Sequence, residues 1–301
     1  MESSRLTRFK RVFTAAPMQL TQRDREIIRQ IYRHRFLRSN QIVALAGGSA
    51  QQILRRLKLL YHHGYLERPR AQLRYYECGG SKSIAYGLGK KGGTLLRRGH
   101  GMPVHPDSWD EKNHIIGRIY LEHTLFVVDV MTAIELACRN QGGIRLLYED
   151  QLALHSERQP FGWRVKISEG LKLGVVPDRV FALEFQDQNG ESQRAYFFLE
   201  ADRGTMPVTR SNLSQTSFRR KLLAYEATWV QNLHRRFGFH RFRVLTVTTS
   251  AVRVNSLVTA CSQLKSGHGL FLFADRTILE KDIFSKVWQT GRPGETGSLL
   301  K

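Results

Sequence analysis

Residues 195–202 read Ala195-Tyr196-Phe197-Phe198-Leu199-Glu200-Ala201-Asp202. The Tyr196–Leu199 run has no polar alternation and so reads as a strand covered on both faces, with an acidic, exposed end. Side chains alternate along a strand, so Glu200 and Asp202 project to one side. Upstream, Val175 to Phe185 is a second strand-like run, with Pro177-Asp178 near its start; from a neighbouring strand, Asp178 would meet the other two acids. Three carboxylates this close repel unless a divalent cation or a base balances them, which makes the cluster a candidate for metal-assisted phosphodiester chemistry. The bland readings are a turn aspartate at 178 and an edge-strand solubility device at 200 and 202.

Working outward, a basic-aromatic helix is expected from about Gln215 to Phe237, followed by a strand from Phe242 to Thr249. Lys221 and Tyr225 lie one turn apart on that helix and share a face, and Arg219 and Arg220 beside them suit phosphate. Ordinary amphipathic packing is the competing account of Lys221 and Tyr225. Before the strands, a helical pattern runs from about Ile115 to Asn140, with Ile119, Leu125, Val128, Met131, Ile134 and Leu136 among its apolar positions. Ile144 to Tyr148 then reads as a strand. The order is helix, three strands, helix, strand.

The N-terminal third has a different character. Thr21-Gln22-Arg23-Asp24 reads as a helix start, Thr21 capping and Asp24 in the first turn, with Ile27, Ile28, Ile31 and Tyr32 following at helical spacing. A second short helix is expected from Ser39-Asn40, burying Ile42, Val43 and Leu45 and stopping at Gly47-Gly48. A third runs from after Ser49 to about His63, with Ile53, Leu54, Leu57, Leu60 and Tyr61 inward and Gly64 as its stop. Gln51, Gln52, Arg55, Arg56 and Lys58 occupy the remaining positions. Tyr65–Arg68 and Leu73–Tyr76 read as a hairpin, and Ile84–Leu88 as a third strand.

Three helices followed by a small sheet resemble a winged helix-turn-helix, whose third helix enters the major groove while the wing touches backbone or minor groove. Gln51, Gln52, Arg55 and Arg56 then suit base edges, while Lys58 and the arginines of the hairpin, Arg68, Arg70 and Arg74, suit phosphates. A solvated helix face or a protein-binding domain is the alternative.

Charge supports a polyanionic partner. The formal net charge is +21 over 301 residues, and residues 1–100 hold 21 Lys+Arg against 5 Asp+Glu. Each neutralised phosphate releases counterions, so such a block is the footprint expected for double-stranded DNA, with an acidic membrane surface as the competitor. Cys78, Cys138 and Cys261 are scattered, with no zinc or disulfide spacing, which fits a reducing cytoplasm. The longest apolar stretch, Leu125 to Cys138, is interrupted by Asp129, Thr132 and Glu135 and is too short and polar to span a bilayer. No membrane partner is expected. The basic N-terminus lacks the apolar core of a signal peptide.

These readings give a two-domain α+β or α/β chain. Residues 1–98 form the basic DNA-binding domain, 99–113 a Gly/Pro-rich linker, 114–290 the second domain, and 291–301 a flexible tail.

The order of elements, with Pro177-Asp178 on the second strand and Glu200-Ala201-Asp202 closing the third, resembles the αβββαβ core of the PD-(D/E)XK nuclease superfamily. The resemblance implies that Asp178, Glu200 and Asp202 hold magnesium or manganese, which would activate a water and neutralise charge on the phosphate. It departs from the superfamily pattern at Asp202, which stands where lysine is usual. Lys221, from the following helix, is the local substitute, with Tyr225 beside it.

Over nearly its whole length the chain also resembles the replication-relaxation family of plasmid and integrative-element proteins. The segments that carry this are Leu20–Ile28, Tyr32–Ile42, Pro177-Asp178, Phe198-Leu199-Glu200-Ala201-Asp202-Arg203-Gly204-Thr205 and Phe218–Tyr225. The family implies a mobile-element DNA-processing protein associated with plasmid replication and DNA relaxation. The chemistry itself is implied only by the likeness to PD-(D/E)XK nucleases, which points to magnesium-dependent nicking that leaves a 5′-phosphate. Relaxases of the histidine-cluster type need a His triad, absent here; His62-His63 reads as surface or packing. The alternatives are an inactive origin- or operator-binding factor whose nuclease-like domain docks partners, and a transcriptional regulator whose second domain dimerises. A homodimer and contacts with other mobile-element proteins are the protein partnerships left open.

Overall fold

Thr21 and Asp24 fix where the first helix begins: the Thr21 hydroxyl accepts the Asp24 N–H at 3.2 Å, and the Asp24 carboxylate accepts the Thr21 N–H at 2.7 Å. This reciprocal cap satisfies two donors that the helix leaves orphaned. In the computed structural model, which describes residues 8–12, 17–73, 83–100, 116–152, 161–187 and 189–300, the chain divides into two compact units, Met1–Val128 and Asp129–Lys301.

The first unit contains helices α1 (Gln22–His34), α2 (Ser39–Ala46), α3 (Ala50–His62) and α4 (Lys90–His100), with short strands β1 (Phe36–Arg38), β2 (Leu66–Glu67) and β3 (Ala85–Leu88). The three helices expected from periodicity are present and close to their expected bounds. Ile27, Ile28, Ile31, Ile42, Ile53, Leu57, Leu60 and Tyr61 are buried, whereas Leu54, read as inward, is 46% exposed. Val43 is half-buried.

Of the hairpin read from sequence, the Leu73–Tyr76 strand lies outside the described residues except for Leu73. Among the described residues the sheet has the order β1-β3-β2, with β3 antiparallel to both neighbours, Leu37 opposite Tyr86 and Leu66 opposite Leu88. Arg70–Gln72 is a single 3₁₀ turn, and residues 74–82, including Arg74, lie outside the described residues. Gln72 takes the place of a strand neighbour, its side-chain amide donating to the Ala85 carbonyl at 2.9 Å and accepting the Ala85 N–H at 2.8 Å. β1 was not foreseen, because three residues between two helices carry no periodicity. Helix α4 also went unread and covers Gly99 and His100, assigned from sequence to the linker; residues 101–115 lie outside the described residues.

A fifth helix, α5, spans Arg118–Gln141, and the division between the units falls within it. Leu121 and Leu125 pack with Phe36 and Ala85 in the first unit. Ile119, read as apolar packing, is 75% exposed.

In the second unit, β4 (Ile144–Tyr148), β7 (Arg179–Gln186), β8 (Ser192–Ala201), β9 (Arg243–Thr248), β10 (Phe271–Asp275), β11 (Trp288–Thr290) and β12 (Thr296–Gly297) form a seven-stranded sheet ordered β12-β11-β10-β9-β8-β7-β4. β8, β9 and β10 are parallel and the outer pairings antiparallel. Phe197, Phe198 and Leu199 are each 0% exposed, as expected of a strand covered on both faces.

The run read as one strand from Val175 to Phe185 is two. β5 (Trp163–Ser168) and β6 (Leu171–Val175) form a separate hairpin, and the chain passes through Pro177 before β7 begins. Proline has no N–H for a ladder, so the strand breaks there. The hairpin alternates, with Trp163 and Val165 buried and Arg164 and Lys166 exposed. The Trp163 indole N–H donates to Thr228 Oγ1 at 2.8 Å, fastening the hairpin to helix α6 (Phe218–Val230).

Beyond the expected elements stand α7 (Ala251–Ser262) and strands β10 to β12. The residues from Gly291, read as a flexible tail, include β12, paired to β11, and Leu299 at 0% exposed. Cys138 and Cys261 are buried free thiols, pushed up to about 12 by burial. Among the described residues no helix is long and apolar enough to cross a membrane.

Candidate functional site

Pairing across β7, β8 and β9 brings the acidic residues together. Arg179 lies opposite Leu199 in antiparallel register, which puts Asp178 opposite Glu200, and Glu200 is level with Thr246 on parallel β9. The Asp178 N–H donates to the Leu199 carbonyl at 2.9 Å, and its Oδ2 accepts the Ala201 N–H at 2.7 Å. Asp178 is thereby tied to the end of β8 by main chain on both sides of Glu200.

Glu200 is 1% exposed and accepts on both oxygens: the Tyr225 hydroxyl donates to Oε1 at 2.6 Å and the Lys221 ammonium to Oε2. Two donors on two oxygens are the pattern of a carboxylate, since a carboxylic acid must itself donate from one. Burial pushes the Glu200 pKa up, with Lys221 opposing that and the Asp178 charge adding to it. For Lys221, burial disfavours the charged form, but Glu200 and Asp178 outweigh it and the ammonium is stabilised. Burial, and then Glu200, raise the Tyr225 phenol well above its ordinary value, so it stays a proton donor. The Tyr225 ring is fixed against Phe198, Trp163 and Phe242. The Thr246 hydroxyl, 0% exposed, has no hydrogen-bond partner among the described residues.

Asp202 is placed differently. It follows the end of β8, and Arg253 in the first turn of α7 grips it, Nε to Oδ2 at 2.8 Å and Nη2 to Oδ1 at 3.2 Å. Thr248 Oγ1 donates to Oδ2 at 2.7 Å and the Gly204 N–H to Oδ1 at 3.1 Å. Arg253 also donates to the Met206 carbonyl at 2.6 Å, so it secures the start of the 203–217 segment. Asp178, Glu200, Lys221 and Tyr225 therefore converge, while Asp202 belongs to a neighbouring cluster. Among the described residues no group of three or more His, Cys, Asp or Glu side chains is arranged to hold a metal ion.

Sequence reasoning missed Arg253. Its signal is a cation in the first turn behind the Ser250 cap, where the helix dipole disfavours positive charge unless a carboxylate faces it. Arg219 is half-exposed, whereas Arg220 donates to the Ser214 carbonyl at 2.9 Å and braces the segment before α6.

In the first unit, Gln51, Gln52, Arg55 and Lys58 are exposed on α3, and Arg70 is exposed on its turn. Arg56 and Arg68 hold the fold. Arg56 bridges to Asp24 at 3.0 Å and 2.5 Å and to the Gln19 carbonyl at 2.9 Å. Arg68, 5% exposed, lies 4.1 Å from the Tyr61 ring centroid and donates to the Tyr86 hydroxyl at 3.0 Å. His62 is buried, its Nδ1 accepting the Val12 N–H at 3.1 Å, in keeping with a packing role.

The fold and this cluster describe a two-unit α+β protein with a buried, cation-paired carboxylate at the ends of its central strands. Residues 28–239, well over half of the chain, match the replication-relaxation family, and the chain belongs to that family. Comparison with curated proteins gives no match, and neither does comparison with solved structures.

Proposed function

We propose that this is a mobile-element DNA-processing protein that binds duplex DNA through a winged helix-turn-helix in its first unit. A PD-(D/E)XK-type second unit then cuts the DNA by magnesium- or manganese-dependent phosphodiester hydrolysis. The observation that carries the cutting half is the Lys221 ammonium on Glu200, which supplies from α6 the cation that position 202 lacks.

The donor chemistry fits a hard divalent ion: two carboxylates, Asp178 and Glu200, face each other across β7 and β8 and would hold it. Such an ion supplies a water of lowered pKa and charge neutralisation at the phosphate. Lys221, 35% exposed at its side chain, would orient the attacking water and face the charge that develops on the phosphate oxygens. Tyr225 holds the Glu200 carboxylate in one rotamer. Asp202 anchors the segment after β8 through Arg253.

For DNA binding, the exposed face of α3 combines Gln51, Gln52, Arg55 and Lys58 with the exposed Leu54 and Leu59. Amide and guanidinium groups suit base edges, the ammonium suits phosphate, and apolar side chains suit thymine methyls. Cytoplasmic location accords with the free thiols.

The competing reading is an origin- or operator-binding factor that does not cut, favoured by the internal neutralisation of Glu200 by Lys221 and of Asp202 by Arg253. Magnesium-dependent nicking of supercoiled plasmid separates the two. Nicking should vanish in Asp178→Ala and Glu200→Ala with DNA binding retained. Binding without cutting at any magnesium or manganese concentration in the unmutated protein would leave the non-cutting factor.

A further inference from the structure

Helix α4 carries Lys90, Lys91, Arg97 and Arg98, and the chain has no acidic residue between Glu77 and Asp107. At 100° per residue the four cations and Thr94 fall within an arc of about 120°. Lys90, Lys91, Arg97 and Arg98 are exposed, while Gly92 and Leu96 face inward and are buried. The two arginines sit at the helix end that favours cations, but the two lysines stand in the first turn, where the dipole disfavours them. No carboxylate at i+3 or i+4 offsets the repulsion along the stripe. A polyanion laid along the stripe relieves the repulsion between its cations.

The stripe begins where α3 ends. The Lys91 N–H donates to the Gly64 carbonyl at 3.1 Å and the Gly89 N–H to the Tyr65 carbonyl at 2.9 Å. The backbones touch so closely that a Cβ at Gly92 would stand 2.3 Å from the Tyr65 carbonyl oxygen, and one at Gly89 2.5 Å from that of Gly64. Glycine at both positions thus locks the start of α4 onto the exit of α3, the helix that bears Gln51, Gln52, Arg55 and Lys58.

We infer that the basic face of α4 is a second nucleic-acid surface, a sequence-independent seat for the sugar-phosphate backbone of the duplex that α3 reads. From Lys90 to Arg98 it rises about 12 Å, the axial length of three to four phosphates of one strand at about 3.4 Å each. The inference rests on the DNA-binding reading above and adds a binding surface that α3 does not supply.

The test measures affinity for a short mixed-sequence DNA duplex against salt concentration, using the full chain, a Lys91→Ala/Arg97→Ala/Arg98→Ala variant and a charge-keeping Lys91→Arg/Arg97→Lys/Arg98→Lys variant. Each phosphate left without its cation lowers the slope of log K on log salt by about 0.9, so the alanine variant should drop by about 2 to 3 in slope. The charge-keeping variant should retain the original slope, and both should keep the parent's unfolding midpoint. A steep parent slope left unchanged in the alanine variant overturns the α4 surface while DNA binding stands. A flat parent slope overturns DNA binding itself. If vesicles of phosphatidylserine and phosphatidylcholine bind with a slope that the alanine variant loses while its DNA slope is unchanged, the stripe is a membrane-binding face and the inference fails.

Discussion

Arg253 holds Asp202 through both carboxylate oxygens, at 2.8 Å and 3.2 Å, on the residue that follows the central strand β8. Asp202 thus has its own cation, separate from Lys221 on Glu200. Removing Arg253 leaves a carboxylate that is 8% exposed without its counter-ion. Arg253→Met should cost about 3 to 5 kcal/mol in urea unfolding, and adding Asp202→Asn should recover part of it. A double variant no more stable than Arg253→Met alone would show that the two side chains are not coupled.

Lys221→Met should abolish most nicking, by about 100-fold or more, while affinity for duplex DNA stays near that of the parent. Glu200 also loses its counter-ion, so a second variant, Lys221→Arg, keeps the charge. Partial activity in Lys221→Arg with none in Lys221→Met is the expected pattern. Full activity in Lys221→Met would remove the residue from the chemistry.

Tyr225 is expected to orient Glu200 and not to attack phosphorus. Tyr225→Phe deletes one buried hydrogen bond to a carboxylate and should cost about 1.5 to 3 kcal/mol of stability. Nicking should fall without disappearing, and no covalent protein–DNA product should survive denaturation of the parent. Detection of such a product, missing in Tyr225→Phe, would reverse the assignment.

Adjacent arginines on α3 should behave oppositely. Arg56→Ala breaks a bridge to an aspartate that is 1% exposed and should cost about 2 to 4 kcal/mol. Arg55→Ala should leave stability within about 0.5 kcal/mol and lower the DNA-binding salt slope by up to about 0.9. Equal stability losses in the two variants would contradict the placement of Arg56.

Acid should weaken the first unit through Asp24. Burial pushes the Asp24 carboxyl up, but hydrogen bonds from Arg56 and Thr21 outweigh it and hold the pKa below the ordinary 3.8. A depressed carboxylate contributes stability that is fully present above the unfolded value and is lost as pH falls through the folded value. The gap in stability between the parent and Asp24→Asn should therefore be constant from neutral pH to about pH 5 and close below the ordinary aspartate value. A gap that widens towards low pH would show the opposite sign.

Much of this was legible in the chain. The spacing of Ile27, Ile28 and Ile31 marks α1, the Thr21/Asp24 cap marks its start, and Phe197-Phe198-Leu199 marks a strand buried on both faces. The carboxylates at 178 and 200 and the cation at 221 all stand out in the sequence as chemistry-bearing residues. Less legible were elements whose signal is short or shared: β1 has three residues, and the β5–β6 hairpin alternates lysine and arginine with its apolar side chains. Helix α4 begins Lys90-Lys91-Gly92-Gly93, which reads as a breaker, and only the close approach to the Tyr65 carbonyl explains Gly92.

The sequence by itself determined periodicity and charge: where the strongly periodic helices α1 to α3 and the apolar strands β8 and β9 run, that the first third is strongly cationic, and that acids end the central strand. Only the tertiary structure decided which charge meets which. Arg55 and Arg56 are neighbours in sequence, yet about 100° of helical rotation sends one to solvent and the other to a buried aspartate. Glu200 and Asp202 stand two residues apart in sequence, yet α6 delivers Lys221 to the first and α7 delivers Arg253 to the second. Ion pairing falls steeply with distance and burial, so these pairings depend on strand register and helix packing, which no local pattern encodes.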